Sequence, residues 1–228
     1  MSDASPKTPT PPPQPAPVVI AIDGTSGSGK STVSRRIAAE LGYTYVDTGA
    51  MYRTLAWHCL SKGVDVHDVK AVSSLCRRWK TRLDCSNGSV RLLVDGYFPE
   101  KEIRTNETSA AVPHVAAVPK VRDWMKAAQR SCIQFGSLVM EGRDIGTNVF
   151  PETEFKLYLD ATLEERQRRR QADGVQEDLA KRDQRDSQRQ AAPLMIPLGA
   201  FIVNNTGETV DQTAARMIAE VKRRREAM

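Results

Sequence analysis

Eight residues constrain this chain more than any others. Gly24-Thr25-Ser26-Gly27-Ser28-Gly29-Lys30-Ser31 fits GxxxxGK[ST], the pattern of a loop whose backbone N–H groups converge on phosphate oxygens. The apolar run Val18-Val19-Ile20-Ala21-Ile22 precedes it, and Val33, Ile37 and Leu41 follow at i, i+4 and i+8, so the stretch reads as strand, loop and helix. Glycines let the backbone turn inward. Lys30 would reach the β- and γ-phosphates, Ser31 would offer its hydroxyl to Mg²⁺, and the helix would add its positive end. A flexible Gly/Ser linker, the bland alternative, needs neither the lysine nor the flanking strand.

The rest of the chain must supply a core around that loop. At 228 residues it is long enough for one large domain or a core with insertions. Its 40% hydrophobic and 27% charged residues are those of a soluble globular protein, and no apolar run approaches the ~20 residues that span a bilayer. Cys59, Cys76, Cys85 and Cys132 lie 17, 9 and 47 positions apart, which matches no metal or redox spacing. They read as reduced packing residues. The N-terminus shows no secretory signal, so the cytoplasm is the expected compartment.

The formal charge is +5, which suits either a nucleic-acid surface or a site for small polyanions. Arginines cluster at 166, 168, 169, 170, 182, 185 and 189, with no aromatic residue between 159 and 200. Platforms on which bases could stack are missing there. Specific nucleic-acid binding is therefore not expected.

Taken in order, residues 1–17 hold seven of the 13 prolines and read as a disordered tail. Strands expected at 18–23, 43–47, 138–141, 154–160 and 200–204 alternate with helical patterns at 29–41 and 50–62 and a final helix at 208–225, the grammar of a parallel α/β sheet. Residues 64–104 break it with a short helix near 68–80 and two strand-like runs joined by Asn87-Gly88, a hairpin signal. Helices are expected around 106–118, with Pro113 kinking or breaking it, and 120–135. Two charged helical pieces make up 162–190. The core therefore comprises 18–63, 105–161 and 190–228, interrupted by an insertion at 64–104 and a lid at 162–189.

A triphosphate loop alone does not define an activity. Asp47-Thr48-Gly49-Ala50-Met51-Tyr52-Arg53 follows the second expected strand and Glu141-Gly142-Arg143-Asp144-Ile145-Gly146-Thr147 the one at 138–141. In an open parallel sheet both emerge at the carboxyl edge beside the phosphate loop, where Arg53 and Arg143 can converge on a second phosphate.

With IAIDGTSGSGKST, DTGAMYR, EIRT, VPKVR, EGRDIGT and KRDQRDSQRQAAPL in place, the chain resembles the bacterial-type cytidylate kinases over about 18–225. That resemblance implies a five-stranded parallel sheet flanked by helices, as in P-loop nucleoside monophosphate kinases, with a small antiparallel insertion and a helical lid. It implies ATP-dependent phosphorylation of CMP and dCMP with Mg²⁺, held at Ser31. ATP would lie on Gly24, Thr25, Ser26, Gly27, Ser28, Gly29, Lys30, Ser31 and Thr32. Arg53, Arg104 and Arg143 resemble contacts to the acceptor phosphate; Thr48, Arg122, Asp144 and Arg189 contacts to cytosine; Arg182 and Asp186 contacts to the sugar. Catalysis would fall to Lys30, Arg143, Arg182 and the lid residues Arg169 and Arg170. Pro113 stands where the family usually has a serine touching the sugar, and the stretch between Arg170 and Arg182 is shorter than in many relatives.

The chemistry of the base agrees: cytosine presents an N4 amine that a carboxylate accepts, whereas uracil presents an oxygen that it repels. A phosphate acceptor, with its second pKa about 6, needs no general base, which leaves His58, His67 and His114 as packing or surface residues. Alternatives are a small P-loop kinase acting on UMP or a metabolite, and a basic nucleotide- or RNA-binding module. The expected partners are small nucleotides, with no membrane, and the expected state is a monomer.

Overall fold

The computed structural model describes residues 16–172, 178–188 and 192–228. Most of the proline-rich stretch and Arg189 therefore lie outside the described residues, as does the centre of the segment expected as a lid.

The fold is built outward from β1 (Val19–Gly24), whose residues are all buried. Alternate side chains serve opposite faces: Val19 and Ala21 join one apolar cluster, Ile20 and Ile22 the other. Burial on both faces is what a central parallel strand requires. α1 (Lys30–Leu41) follows the phosphate loop and ends at Gly42, left-handed at φ 68°. β2 (Thr44–Asp47) leads into α2 (Thr48–Ser61), where the Asp47 carboxylate accepts the Ala50 N–H.

Next come α3 (Val69–Arg78), β3 (Thr81–Ser86) and β4 (Ser89–Val94), then α4 (Asn106–Ala117), α5 (Pro119–Ser131) and β5 (Leu138–Gly142). β6 (Phe155–Asp160), α6 (Leu163–Ala172), α7 (Leu179–Ser187), β7 (Phe201–Asn204) and α8 (Val210–Glu226) complete the chain. The sheet order is β3-β4-β2-β5-β1-β6-β7. β2, β5, β1, β6 and β7 are mutually parallel, the five strands anticipated from sequence. Strand order reverses at the β1–β5 seam, where an open α/β sheet forms its binding crevice.

The Asn87-Gly88 hairpin forms with φ 51° and 68°, the paired left-handed conformation that matches strand twist. Its β4 also pairs in parallel with β2 through Tyr45–Ser89 and Val46–Val90. The hairpin thus continues the sheet instead of only packing beside it. Pro113 does not break its helix, which runs on to Ala117. The missing N–H costs one helical bond, while Ala111, Val115 and Ala116 stay buried and hold the helix in place. Cys59, Cys76 and Cys132 are buried thiols, as expected, but Cys85 is exposed on edge strand β3.

Candidate active site

The phosphate loop is fitted tightly into the carboxyl edge of the sheet. A Cβ on Gly24 would lie 1.9 Å from the Leu159 carbonyl oxygen, so only glycine can occupy the start of the loop. Gly29 caps α1 at φ 86°. Lys30 folds back over the loop, its Nζ donating to the Thr25 carbonyl at 2.6 Å, and the Ser28 hydroxyl donates to the same oxygen at 3.0 Å. Thr25 Oγ1 in turn donates to Asp160 at 2.6 Å. Burial pulls the Lys30 ammonium well below the ordinary lysine range and Arg143 adds to this, while Glu141 pushes it back up.

Beneath Lys30 and Ser31 lies a buried polar group that the sequence reading had not assigned. Glu141, next to last in β5, accepts hydrogen bonds from the Tyr45 and Ser31 hydroxyls and interacts with Lys30. Burial, followed by repulsion from Asp47, raises its carboxyl above the usual range. Its signal was its place as the first residue of EGRDIGT, at a strand end beside the phosphate loop.

The loop after β5 is joined directly to the end of β1. Arg143 donates from Nη1 to the Gly24 carbonyl and from Nε to Asp186 at 3.0 Å. The Ile145 and Gly146 amides donate to Asp23 at 2.8 and 2.7 Å. Between them stands Asp144, 8% exposed, with its Oδ2 accepting from Arg122 at 2.7 Å and from Asn148 at 3.0 Å. A wide turn, Ile145–Val149, carries the chain onward, a local widening of the helix found mostly at functional sites. Asp144 thus forms a buried salt bridge with Arg122. Arg122 is buried, donates also to the Ala116 carbonyl at 3.4 Å, and lies 6.0 Å from the Tyr52 ring.

Around this seam, Thr48 donates to the Glu141 carbonyl at 2.7 Å and Arg53 pairs with Asp47 at 2.9 Å. Arg104, at the end of the short turn Glu102–Arg104, is exposed. Its side chain makes no hydrogen bond or ion pair among the described residues.

From the other side, α6 and α7 close on the phosphate loop. Arg169 donates from Nη1 to the Ser28 carbonyl and to Asn205, both at 3.1 Å, and Arg170 reaches the Ser26 hydroxyl at 3.5 Å. The Ser26 amide donates to Asp183 at 3.2 Å, and Arg166 donates to the Ser26 carbonyl at 3.0 Å. Asp186 is buried against Arg143, and the charge of Arg182 is felt at Lys30. Asp183, Arg166 and Asn205 had no assigned part; Asp183 lies within KRDQRD, and Asn205 directly follows β7 at the carboxyl edge.

The histidines stay out of this cluster. His58 is buried near the Trp57 and Trp79 rings, and His67 and His114 face each other at 4.0 Å. No group of three or more His, Cys, Asp or Glu able to hold a metal occurs among the described residues, and none of their helices is long and apolar enough to cross a membrane.

A phosphate loop at a strand-to-helix junction, seated where the strand order of a parallel sheet reverses, defines a P-loop nucleotide-binding fold. A family model for cytidylate kinase matches residues 20–223, and the chain belongs to that family. A cytidylate kinase of Geobacillus thermodenitrificans (strain NG80-2) is 42% identical over 216 residues, covering 90% of this chain and 96% of that protein. One from Shouchella clausii (strain KSM-K16) is 38% identical over 214 residues, covering 89% and 95%. A bifunctional pantoate ligase/cytidylate kinase of Synechococcus sp. (strain RCC307) is 41% identical over 214 residues; the match takes in 88% of this chain but 42% of that longer protein. Among solved structures, a shikimate kinase from Acinetobacter baumannii in complex with shikimate covers 91% of this chain and 94% of its own at 16% identity and a TM-score of 0.44, too distant a likeness to inform the site.

Proposed function

We propose that this chain transfers the γ-phosphoryl group of ATP to CMP, and to dCMP, giving the diphosphate and ADP. The observation that carries this reading is the seating of Gly142-Arg143-Asp144 against Gly24. Arg143, which this reading gives to the acceptor phosphate, bonds the first residue of the triphosphate loop, and the buried Asp144 carboxylate follows it directly in the chain.

In this reading residues 24–32 cradle ATP, and Lys30 exchanges the Thr25 carbonyl for phosphate oxygens, whose negative charge holds its ammonium protonated. Arg53, Arg104 and Arg143 take the acceptor phosphate. Arginine suits that task because its fork bonds two oxygens at once. Asp144 reads the base: Arg122 and Asn148 hold its Oδ2, which leaves Oδ1 to accept the cytosine N4 amine. Thr48 and Arg122 border the ring, with Arg189 assigned there by family resemblance alone. Arg182 and Asp186 serve the sugar. Residues 64–104 act as the monophosphate-binding insertion and 162–189 as a lid, whose Arg169, Arg170 and Arg182 stabilise the moving phosphoryl and exclude water.

The acceptor phosphate is largely ionised at neutral pH, so catalysis consists of aligning two anions and screening their repulsion. Mg²⁺ takes hard oxygen donors and needs only one or two protein ligands beside the phosphates; the Ser31 hydroxyl, with the Glu141 carboxylate that it bonds, would hold it here. Bound there, it would neutralise charge on the β- and γ-phosphates.

The test is a coupled assay of ADP release with a panel of nucleoside monophosphates at saturating Mg·ATP. CMP or dCMP should be the preferred acceptor. Equal use of AMP would overturn the assignment.

A further inference from the structure

Asp23 has no part in the scheme above, yet it is 0% exposed and lies immediately before the phosphate loop. Its two carboxylate oxygens accept from different amides: Oδ1 from Ile145 at 2.8 Å and Oδ2 from Gly146 at 2.7 Å. Those amides open the wide turn that follows Asp144. On the other side of Asp144, Arg143 is fixed to the Gly24 carbonyl. The segment 143–146 is thus attached to the end of β1 on both flanks of the base-reading carboxylate, and Asp23 supplies one of those attachments.

We infer that Asp23 is a positioning residue that sets where Asp144 and Arg143 stand relative to the phosphate loop, and so fixes recognition of the acceptor nucleotide without touching it. The inference rests on the reading of this site as a CMP-accepting kinase.

A neutral replacement would do less well for a physical reason. An ionised carboxylate is acceptor-only and can meet both N–H groups, whereas an amide presents one oxygen and one NH₂, leaving one buried N–H facing a donor. Maintaining the carboxylate is costly: its pKa is raised to about 7, chiefly by burial and further by the Asp144 charge, against the lowering effect of the two amide bonds and Lys30. Tyr158, whose hydroxyl feels the Asp23 charge, faces it from β6, and the Lys156 stem adjoins Gly146. Retention of a buried acid under these conditions fits a demand for geometry more than for stability.

The test is steady-state kinetics of Asp23→Asn in the full chain, with the two substrates varied separately. The KM for CMP should rise by about tenfold to a hundredfold, as expected for a displaced charge-assisted contact, and the CMP-over-UMP preference should fall. The KM for ATP should stay within about twofold. A KM for CMP that is unchanged, or that rises only in step with the KM for ATP, would overturn the inference. If Asp23→Asn does not fold, Gly146→Ala gives the same test with Asp23 intact. Its added Cβ would lie 3.3 Å from Asp23 Oδ2 and 3.1 Å from the Pro197 Cγ, and it should raise the KM for CMP selectively. A wild-type protein that fails to use CMP would refute the functional reading itself, a result distinct from either variant outcome.

Discussion

The two halves of this site, proposed to handle the donor and the acceptor phosphates, are held by different means. On the donor side, the loop is fixed through its backbone: the Thr25, Ser26 and Ser28 carbonyls all accept from the chain's own side chains. On the acceptor side, arginines are paired with carboxylates, Arg53 with Asp47, Arg122 with Asp144 and Arg143 with Asp186. A backbone cradle has a shape that any nucleoside triphosphate can use. Charge pairs can be exchanged, so in the proposed scheme an incoming phosphate would take over an arginine and leave a freed or shared carboxylate to sense the base. In the proposed scheme the donor half supplies rate and the acceptor half supplies choice.

That contrast breaks most readily through a pair of substitutions, one in each half. Lys30→Ala should lower kcat by about a hundredfold to a thousandfold. Arg53→Ala should act chiefly on the KM for CMP, raising it about tenfold, with the KM for ATP little changed. Matched kinetics in which both variants altered both substrates alike would erase the distinction. A smaller effect sharpens it from the stability side. Glu165 is held to about 2, below the usual carboxylate range, first by Arg168 and then by Arg169, and Arg169 anchors Ser28. Because its folded-state pKa is depressed, its stabilisation is fully present above the ordinary value of 4.5 and is lost as pH falls toward 2. Glu165→Gln should lower the melting temperature by no more than about 3 °C at pH 7. The wild-type and variant melting curves should converge on acidification; a difference that persists at low pH would deny the pair its role.

Local signals were enough for much of this fold. The strand–loop–helix at 18–41 and the Asn87-Gly88 turn follow from periodicity and turn chemistry within a few residues, and both appear in the structure. The attachment of β4 to β2 was not legible, since it joins strands more than 40 residues apart through backbone bonds that no side-chain pattern announces. Pro113 misled for a related reason: a local helix breaker was overruled by burial of Ala111, Val115 and Ala116. Within the site, the motifs named Arg122, Asp144, Arg143 and Asp186 individually, but not that they pair. Asp23, Tyr45, Glu141 and Asp183 were hidden because each acts through a partner distant in sequence. Only the folded sheet brings Asp23 to residues 145 and 146, or Tyr45 to Glu141.

The claim that the acceptor half makes the choice is tested most directly by kcat/KM for CMP and UMP in the wild type and in Asp144→Ala, measured side by side. A carboxylate matched to the cytosine N4 amine should contribute about tenfold to a hundredfold in discrimination. The CMP-to-UMP ratio should therefore collapse by that factor while ATP use in the presence of either acceptor remains measurable. An unchanged ratio would mean that the base is read elsewhere and would contradict the account.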